Sequence, residues 1–347
     1  MKGKRRLRSP LILAALSLGL ILTFLSSLAL GAVSIPLSEV VTILLGGIPQ
    51  KLPWIDIIFK FRLPKALTAM LAGSALATSG LQLQTLFHNP LAGPFVLGIS
   101  SGASLGVALI VLAVNLIGGS SLFSSLGILS NFGTVIAACI GATIVTSLVI
   151  LAAQFVRNSI ALLVLGLMFG YATSAIVSIL LSLSSAEQIQ TYLNWTFGSF
   201  AGVTWNQLPI FAIVVLFGMA IAWILAPKLN PLLLGNDPAQ SLGISIQRLR
   251  IWILVSSSLL AGVVTAFCGP IAFLGVAVPH LCRGLFRTAD HRWLVPAVGL
   301  VGAILALVAD TIAQLPKNSI LPLNSVTALI GTPIVIWIIL KPRSLSQ

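Results

Sequence analysis

Apolar positions along this chain come in long unbroken blocks, with neither the alternation of a strand nor the narrow stripe of a water-soluble helix. From Ala66 to Val156 not one Asp, Glu, Lys or Arg interrupts the sequence. A segment apolar on every side belongs in a very large core or in lipid. At about 20 residues per bilayer crossing, that block holds about three spans. Inside lipid it must be helical, because backbone groups find no water partners there. The same reading along the whole chain predicts ten helical spans, near residues 11–33, 64–87, 94–115, 132–155, 160–182, 204–226, 250–268, 271–286, 294–314 and 325–340. The first follows a basic segment with Lys2, Lys4, Arg5, Arg6 and Arg8, which resembles the start of a signal peptide. Its charge-free run from Leu11 to Ile35 is longer than the roughly 7–15 residues of a signal h-region, so an uncleaved first span is expected. The polar interruptions between blocks are too short for a soluble domain. The expectation is one all-α transmembrane domain over residues 1–347.

Composition strengthens this and charge orients it. The 347 residues are 58% hydrophobic and 7% charged, against about 25% charged in a soluble domain, and the mean hydropathy is +1.11. A net charge of +13 would suit a nucleic-acid partner if it formed one patch; here the cations sit between apolar spans. Threading ten spans from a cytoplasmic N-terminus leaves only Lys51, Lys60, Arg62, Lys65 and Lys317 of the 19 Lys and Arg outside. That asymmetry follows the positive-inside rule and supports the even count of spans with both termini in the cytoplasm.

Glycines at spacing four, such as Gly98, Gly102 and Gly106 or Gly166 and Gly170, let helices approach closely in lipid, so a tightly packed bundle is their plainest reading. Cys139, Cys268 and Cys282 lie in apolar stretches without paired metal spacing and read as small core residues. No Walker A, Rossmann or zinc-protease motif occurs, so the chain has no P-loop of its own for ATP. His88, His280 and His291 each fall near an expected cytoplasmic helix end, where they can meet terminal carbonyls. One acid, Asp310, is expected well inside a span and should face protein or a water-filled cavity. A proton relay is one reading of it; a structural acid satisfied by a partner near a helix end is the plainer one.

Three polar segments punctuate the apolar blocks. The first runs from Arg62-Leu63-Pro64-Lys65 through Ala72-Gly73-Ser74 and Ser79-Gly80 to Asn89-Pro90-Leu91-Ala92-Gly93-Pro94 and Leu97-Gly98-Ile99. The second is Leu234-Gly235-Asn236-Asp237-Pro238-Ala239-Gln240-Ser241-Leu242-Gly243. The third begins Gly269-Pro270-Ile271-Ala272-Phe273-Leu274-Gly275, continues through Pro279-His280-Leu281-Cys282-Arg283 and Asp290-His291-Arg292, and reaches Ala309-Asp310 and Gly331-Thr332-Pro333. In order and spacing these resemble the FecCD family, the permease subunits of type II ABC importers for iron-siderophores, haem and vitamin B12. The resemblance covers nearly the whole chain.

It implies a ten-helix permease paired with a copy or a close paralogue, the pathway lying at the interface. Two ATP-binding subunits, which use ATP and Mg, and an extracytoplasmic substrate-binding protein complete such a transporter; this chain itself is expected to bind no cofactor or metal. By the same resemblance Leu234–Gly243, within the cytoplasmic loop 228–248, is the coupling loop that docks into the ATPase. Arg62 and Lys65 would grip acids of the binding protein. Relatives often carry an arginine four residues after the aspartate of the Ala-Asp pair; here Gln314 stands there, and Lys317 could supply the charge. The fifth and tenth spans would line the pathway, with Met168, Tyr171 and Thr327 as candidate lumen residues. An iron chelate is the leading cargo, with haem, cobalamin or molybdate as alternatives. From another class, an ion-coupled secondary transporter would use Asp310 as its coupling site.

Overall fold

The computed structural model describes residues 8–31, 33–112, 131–156, 158–316 and 321–340. Its helices are α1 (Arg8–Ala29), α2 (Leu37–Leu44), α3 (Pro53–Asp56), α4 (Leu63–Leu86), α5 (Ile99–Val111), α6 (Asn131–Phe155), α7 (Ser159–Ser182), α8 (Ala186–Thr196), α9 (Leu208–Leu232), α10 (Asn236–Ser241), α11 (Ile246–Cys268), α12 (Leu274–Phe286), α13 (His291–Ala313) and α14 (Leu323–Leu340). A π-helical turn, Ile57–Arg62, joins α3 to α4, and a 3-10 turn, Pro94–Leu97, precedes α5. Among the described residues seven helices, α1, α4, α6, α7, α9, α11 and α13, are long and apolar enough to cross a membrane, and α5, α12 and α14 are shorter apolar helices. These ten lie where the apolar blocks predict spans.

Two departures from the predicted spans have local causes. The expected span 94–115 begins as a 3-10 turn because Gly98 sits at φ +71, a left-handed conformation that ends one helix and starts another. The expected end at residue 226 falls just before Pro227, a residue type that tends to stop a helix, yet α9 carries Pro227 and Pro231 inside its last turns and continues six residues further, to Leu232.

α4 is the centre of the bundle, packed by α9, α11, α12 and α13. Its closest approach is at Gly80, where an added Cβ would collide with the backbone of Gly275 on α12. Gly73 meets Gly302 on α13 in the same way. With almost no hydrophobic force between helices in lipid, such backbone contact supplies the packing that holds the bundle. Hydroxyl and amide bonds add to it: Ser79 donates to the Ser257 carbonyl (2.9 Å), and Ser256 to the Gly218 carbonyl (3.0 Å). Large apolar side chains point outward instead, among them Leu18 and Leu22 on α1 and Ile213, Phe217 and Trp223 on α9, as a protein solvated by lipid tails requires.

Candidate functional site

Between α9 and α11 the chain makes one short helix, α10, bracketed by two glycines in conformations that side chains rarely adopt, Gly235 at φ +109 and Gly243 at φ +80. The return turn is closed by Gly243 N–H donating to the Gln240 carbonyl (2.8 Å) and Ile244 N–H to the Ala239 carbonyl (3.1 Å). Ala239 is fully buried, so α10 has a seated side. Leu234 and Leu242 flank it at 71% and 66% exposed. Two leucines presented outward on a rigid turn make a knob suited to a protein pocket.

Behind the knob lies a polar anchor. The Asn230 side chain, near the end of α9, donates from Nδ2 to Asp290 Oδ1 (2.7 Å). Its Oδ1 accepts from the His291 backbone N–H (2.9 Å) and lies 2.8 Å from His291 Nδ1, which therefore carries the ring proton. His291 Nε2 is 2.8 Å from Thr85 Oγ1, at the end of α4, and the imidazole is fully buried. His88 Nε2 donates to the Leu232 carbonyl (2.7 Å), two residues beyond Asn230. On the far side of α4, Arg283 donates to Gln84 Oε1 (2.6 Å) and His280 to the Pro90 carbonyl (2.7 Å). The three histidines thus gather around one helix end, where each bonds a different neighbour, and among the described residues no group of side chains forms a metal site. Of the uncharged partners, Gln84 belongs to the first polar segment of the sequence, whereas Asn230 and Thr85 were not singled out from it. The available signal was polar residues at the last turns of otherwise apolar blocks.

At the other end of the bundle the two cations expected to dock a binding protein are engaged internally. Arg62 is only 7% exposed, and its guanidinium donates to the carbonyls of Leu28 (2.6 Å), Ala29 (3.0 Å) and Val33. It ties α1 to α4 and offers little charge to a partner. Lys65 Nζ is 3.1 Å from Asp310 Oδ2, both side chains largely buried, so its charge is also engaged internally. Gln314 Nε2 completes the set by donating to Asp310 Oδ2 (2.7 Å) and to the Asp310 carbonyl (2.9 Å). Asp310 is therefore a paired acid at a helix end. Lys317 lies outside the described residues. A cavity of about 600 Å³ opens beside this cluster, with Lys60, Trp205 and Asn206 in its wall.

The FecCD transport family model matches residues 19–341, nearly the whole chain, and so includes both ends of the bundle. The chain belongs to the FecCD transport family. The hemin transport system permease protein of Yersinia pestis is 35% identical over 292 residues, 84% of each chain. The vitamin B12 import system permease protein of Salmonella paratyphi A is 36% identical over 289 residues, 82% of this chain and 83% of that one. A solved structure assigned to the metal-chelate type of ABC transporter, in an inward-facing conformation, is 31% identical with a TM-score of 0.81, covering 95% of this chain and 98% of that one. The fold is that of a type II ABC importer permease.

For a FecCD permease the outward-facing surface of α7 bears directly on the expected pathway. Met168 and Tyr171 stand on it at 49% and 68% exposed, in an apolar row with Val164 and Ile179. Thr327 does not: it is 2% exposed and bonds back to the Asn324 carbonyl (2.9 Å). The phase of α14 turns Thr327 into the bundle instead of toward an open surface, and it shares the wall of a small internal cavity with Phe273 and Ala309.

Proposed function

We propose that this FecCD permease forms half of the membrane pathway of an ATP-driven importer for a bulky metal chelate, an iron-siderophore first among them, moved by alternating access between two permease subunits. The observation that carries the reading is α10 with its anchor: an exposed two-leucine knob whose base is clamped to α4 and α13 by Asn230, His291 and His88. A pocket on an ATP-binding subunit would receive the knob, and closure of two such subunits would push it. The clamp passes that push into the central helix α4 and the long helix α13, where α4 and α13 also meet at Gly73 and Gly302.

The α10 end is read as cytoplasmic. Lys228, Arg248, Arg283, Arg287 and Arg292 gather there, as the positive-inside rule requires. The Asp310 end then faces outward, and a substrate-binding protein would meet it around the cavity walled by Lys60, Trp205 and Asn206. The apolar row on α7 suits a cargo that must slide without a deep well. Relatives of nearly equal identity serve hemin and vitamin B12, both metal-centred macrocycles, which favours a chelate over an oxyanion such as molybdate. Against the ion-coupled alternative stands the pairing of Asp310 with Lys65 and Gln314.

The test is uptake into proteoliposomes carrying the permease with its ATP-binding and substrate-binding partners, offered labelled ferric siderophore, hemin or cobalamin. Uptake should need internal ATP, ignore an uncoupler and be greatest for one metal chelate. Uptake that survives without ATP and stops with the uncoupler would overturn the reading.

A further inference from the structure

On the face of the bundle beside α10, where the last turns of α9 meet the first turn of α11, lies a cavity of about 290 Å³. Lys228 and Arg248 are its charged walls, with Gly243, Ser245 and Trp252 between and above them. Both cations are solvent-exposed, and among the described residues neither forms a salt bridge. The chain has few acids to offer. Asp56 and Asp310 pair with lysines at the other end, and Asp290 is bonded to Asn230 and to the Arg292 backbone N–H. Ser245, the N-cap of α11, makes no side-chain bond to the first turn, which leaves that positive helix end open to the same cavity.

The surface running away from the two cations is apolar on both helices. On α9 it continues from Lys228 through Ile224 and Phe217, and on α11 from Arg248 through Trp252, with Trp223 alongside. Tryptophan next to lysine or arginine at the end of such a surface is the pattern of a membrane–water boundary. We propose that this cavity is a seat for the phosphate of an anionic phospholipid in the leaflet on the α10 side, with the acyl chains lying along the apolar faces of α9 and α11. The phosphate would bridge Lys228 of α9 to Arg248 of α11 and fill the gap beside Gly243, the glycine that closes the α10 turn, where no atom lies within 4 Å of an added Cβ. A lipid so placed holds the base of the knob to the bilayer surface, and transport becomes sensitive to headgroup charge. An acidic segment of a partner protein would satisfy the cations equally, but not the lipid-facing apolar surface continuous with them.

The experiment compares the full-length permease with a Lys228→Gln/Arg248→Gln variant in nanodiscs of phosphatidylcholine alone or mixed with phosphatidylglycerol, reading phosphatidylglycerol retained after gentle extraction by native mass spectrometry. This readout needs no ATP-binding subunit, so it stands or falls apart from the importer reading. Each cation near an anionic surface contributes about a factor of five, so the double variant should hold phosphatidylglycerol roughly 25-fold more weakly. An Arg292→Gln control, at the same end of the bundle but away from the cavity, should retain it like wild type. Equal retention by wild type and double variant overturns the proposal. So does displacement of the lipid by inorganic phosphate at modest concentration, which would mean a soluble phosphate site. Loss of ATP-binding subunit from the variant in lipid-free detergent, with lipid retention unchanged, would assign the two cations to that subunit and overturn it as well.

Discussion

Asn230 is one carboxamide serving three groups on a neighbouring helix start, the Asp290 carboxylate and the His291 N–H and ring. Replacing it with alanine leaves two buried donors unbonded, at about 1–3 kcal/mol each. The Asn230→Ala permease should still fold and still capture its ATP-binding subunit, because Leu234 and Leu242 are untouched. Its ATP hydrolysis should no longer drive uptake at the wild-type ratio, which paired hydrolysis and uptake assays on the same proteoliposomes would read. An unchanged ratio would remove the anchor from the coupling route. The Lys65–Asp310 pair makes a different prediction. Removing one partner of a buried pair costs about 3–5 kcal/mol, since the other charge is stranded. Lys65→Met should therefore lower the melting temperature in detergent clearly, and Lys65→Met with Asp310→Leu should recover most of the loss. Arg62 shows why such roles were not legible in sequence. A basic residue at a span end looks free until the carbonyls of Leu28 and Ala29, more than thirty residues earlier, are folded against it. Asp310 was more legible, since a lone acid in an apolar block must find a partner.

Among the elements, α10 was visible in advance as a polar stretch closed by glycines, because turn glycines and a proline are local signals. The membrane helices were visible for the same reason that they exist: lipid demands apolar blocks of a given length. α8 was not. It is an 11-residue helix with mixed polarity whose start is fixed by a capping box, Ser185 with Gln188, and an apolar-block reading passes over it. The lumen side of α14 was also out of reach, because a helix apolar all round has no phase in its sequence, and Thr327 fell on the buried side. Packing between elements makes a sharp contrast. Gly80→Ala pushes a methyl into the Gly275 backbone of α12, whereas Gly19→Ala on α1 meets only the Ile304 side chain at 3.7 Å, ordinary contact. The first should cost at least about 1–3 kcal/mol through overpacking and sharply reduce the yield of folded permease, and the second should leave yield and melting temperature close to wild type.

The whole molecule has two ends of different character joined by one central helix. At one end α10 stands on its polar anchor; at the other an ion pair and an arginine stitched to carbonyls lock α1, α4 and α13 together. α4 runs between them, in backbone contact with α12 and α13, so displacement at the α10 end has a stiff path to the far end. On the importer reading proposed above, this arrangement would let ATP-driven closure on one side of the membrane open or shut a pathway on the other. The most direct test purifies the tagged permease in mild detergent with its co-expressed ATP-binding subunit and compares wild type with Leu234→Ser/Leu242→Ser. The ATP-binding subunit should come with the wild type and be lost from the variant, while the variant's melting temperature stays the same. Retention of the subunit by a correctly folded variant, or its absence from the wild type, would contradict the claim that α10 is where the permease meets its motor.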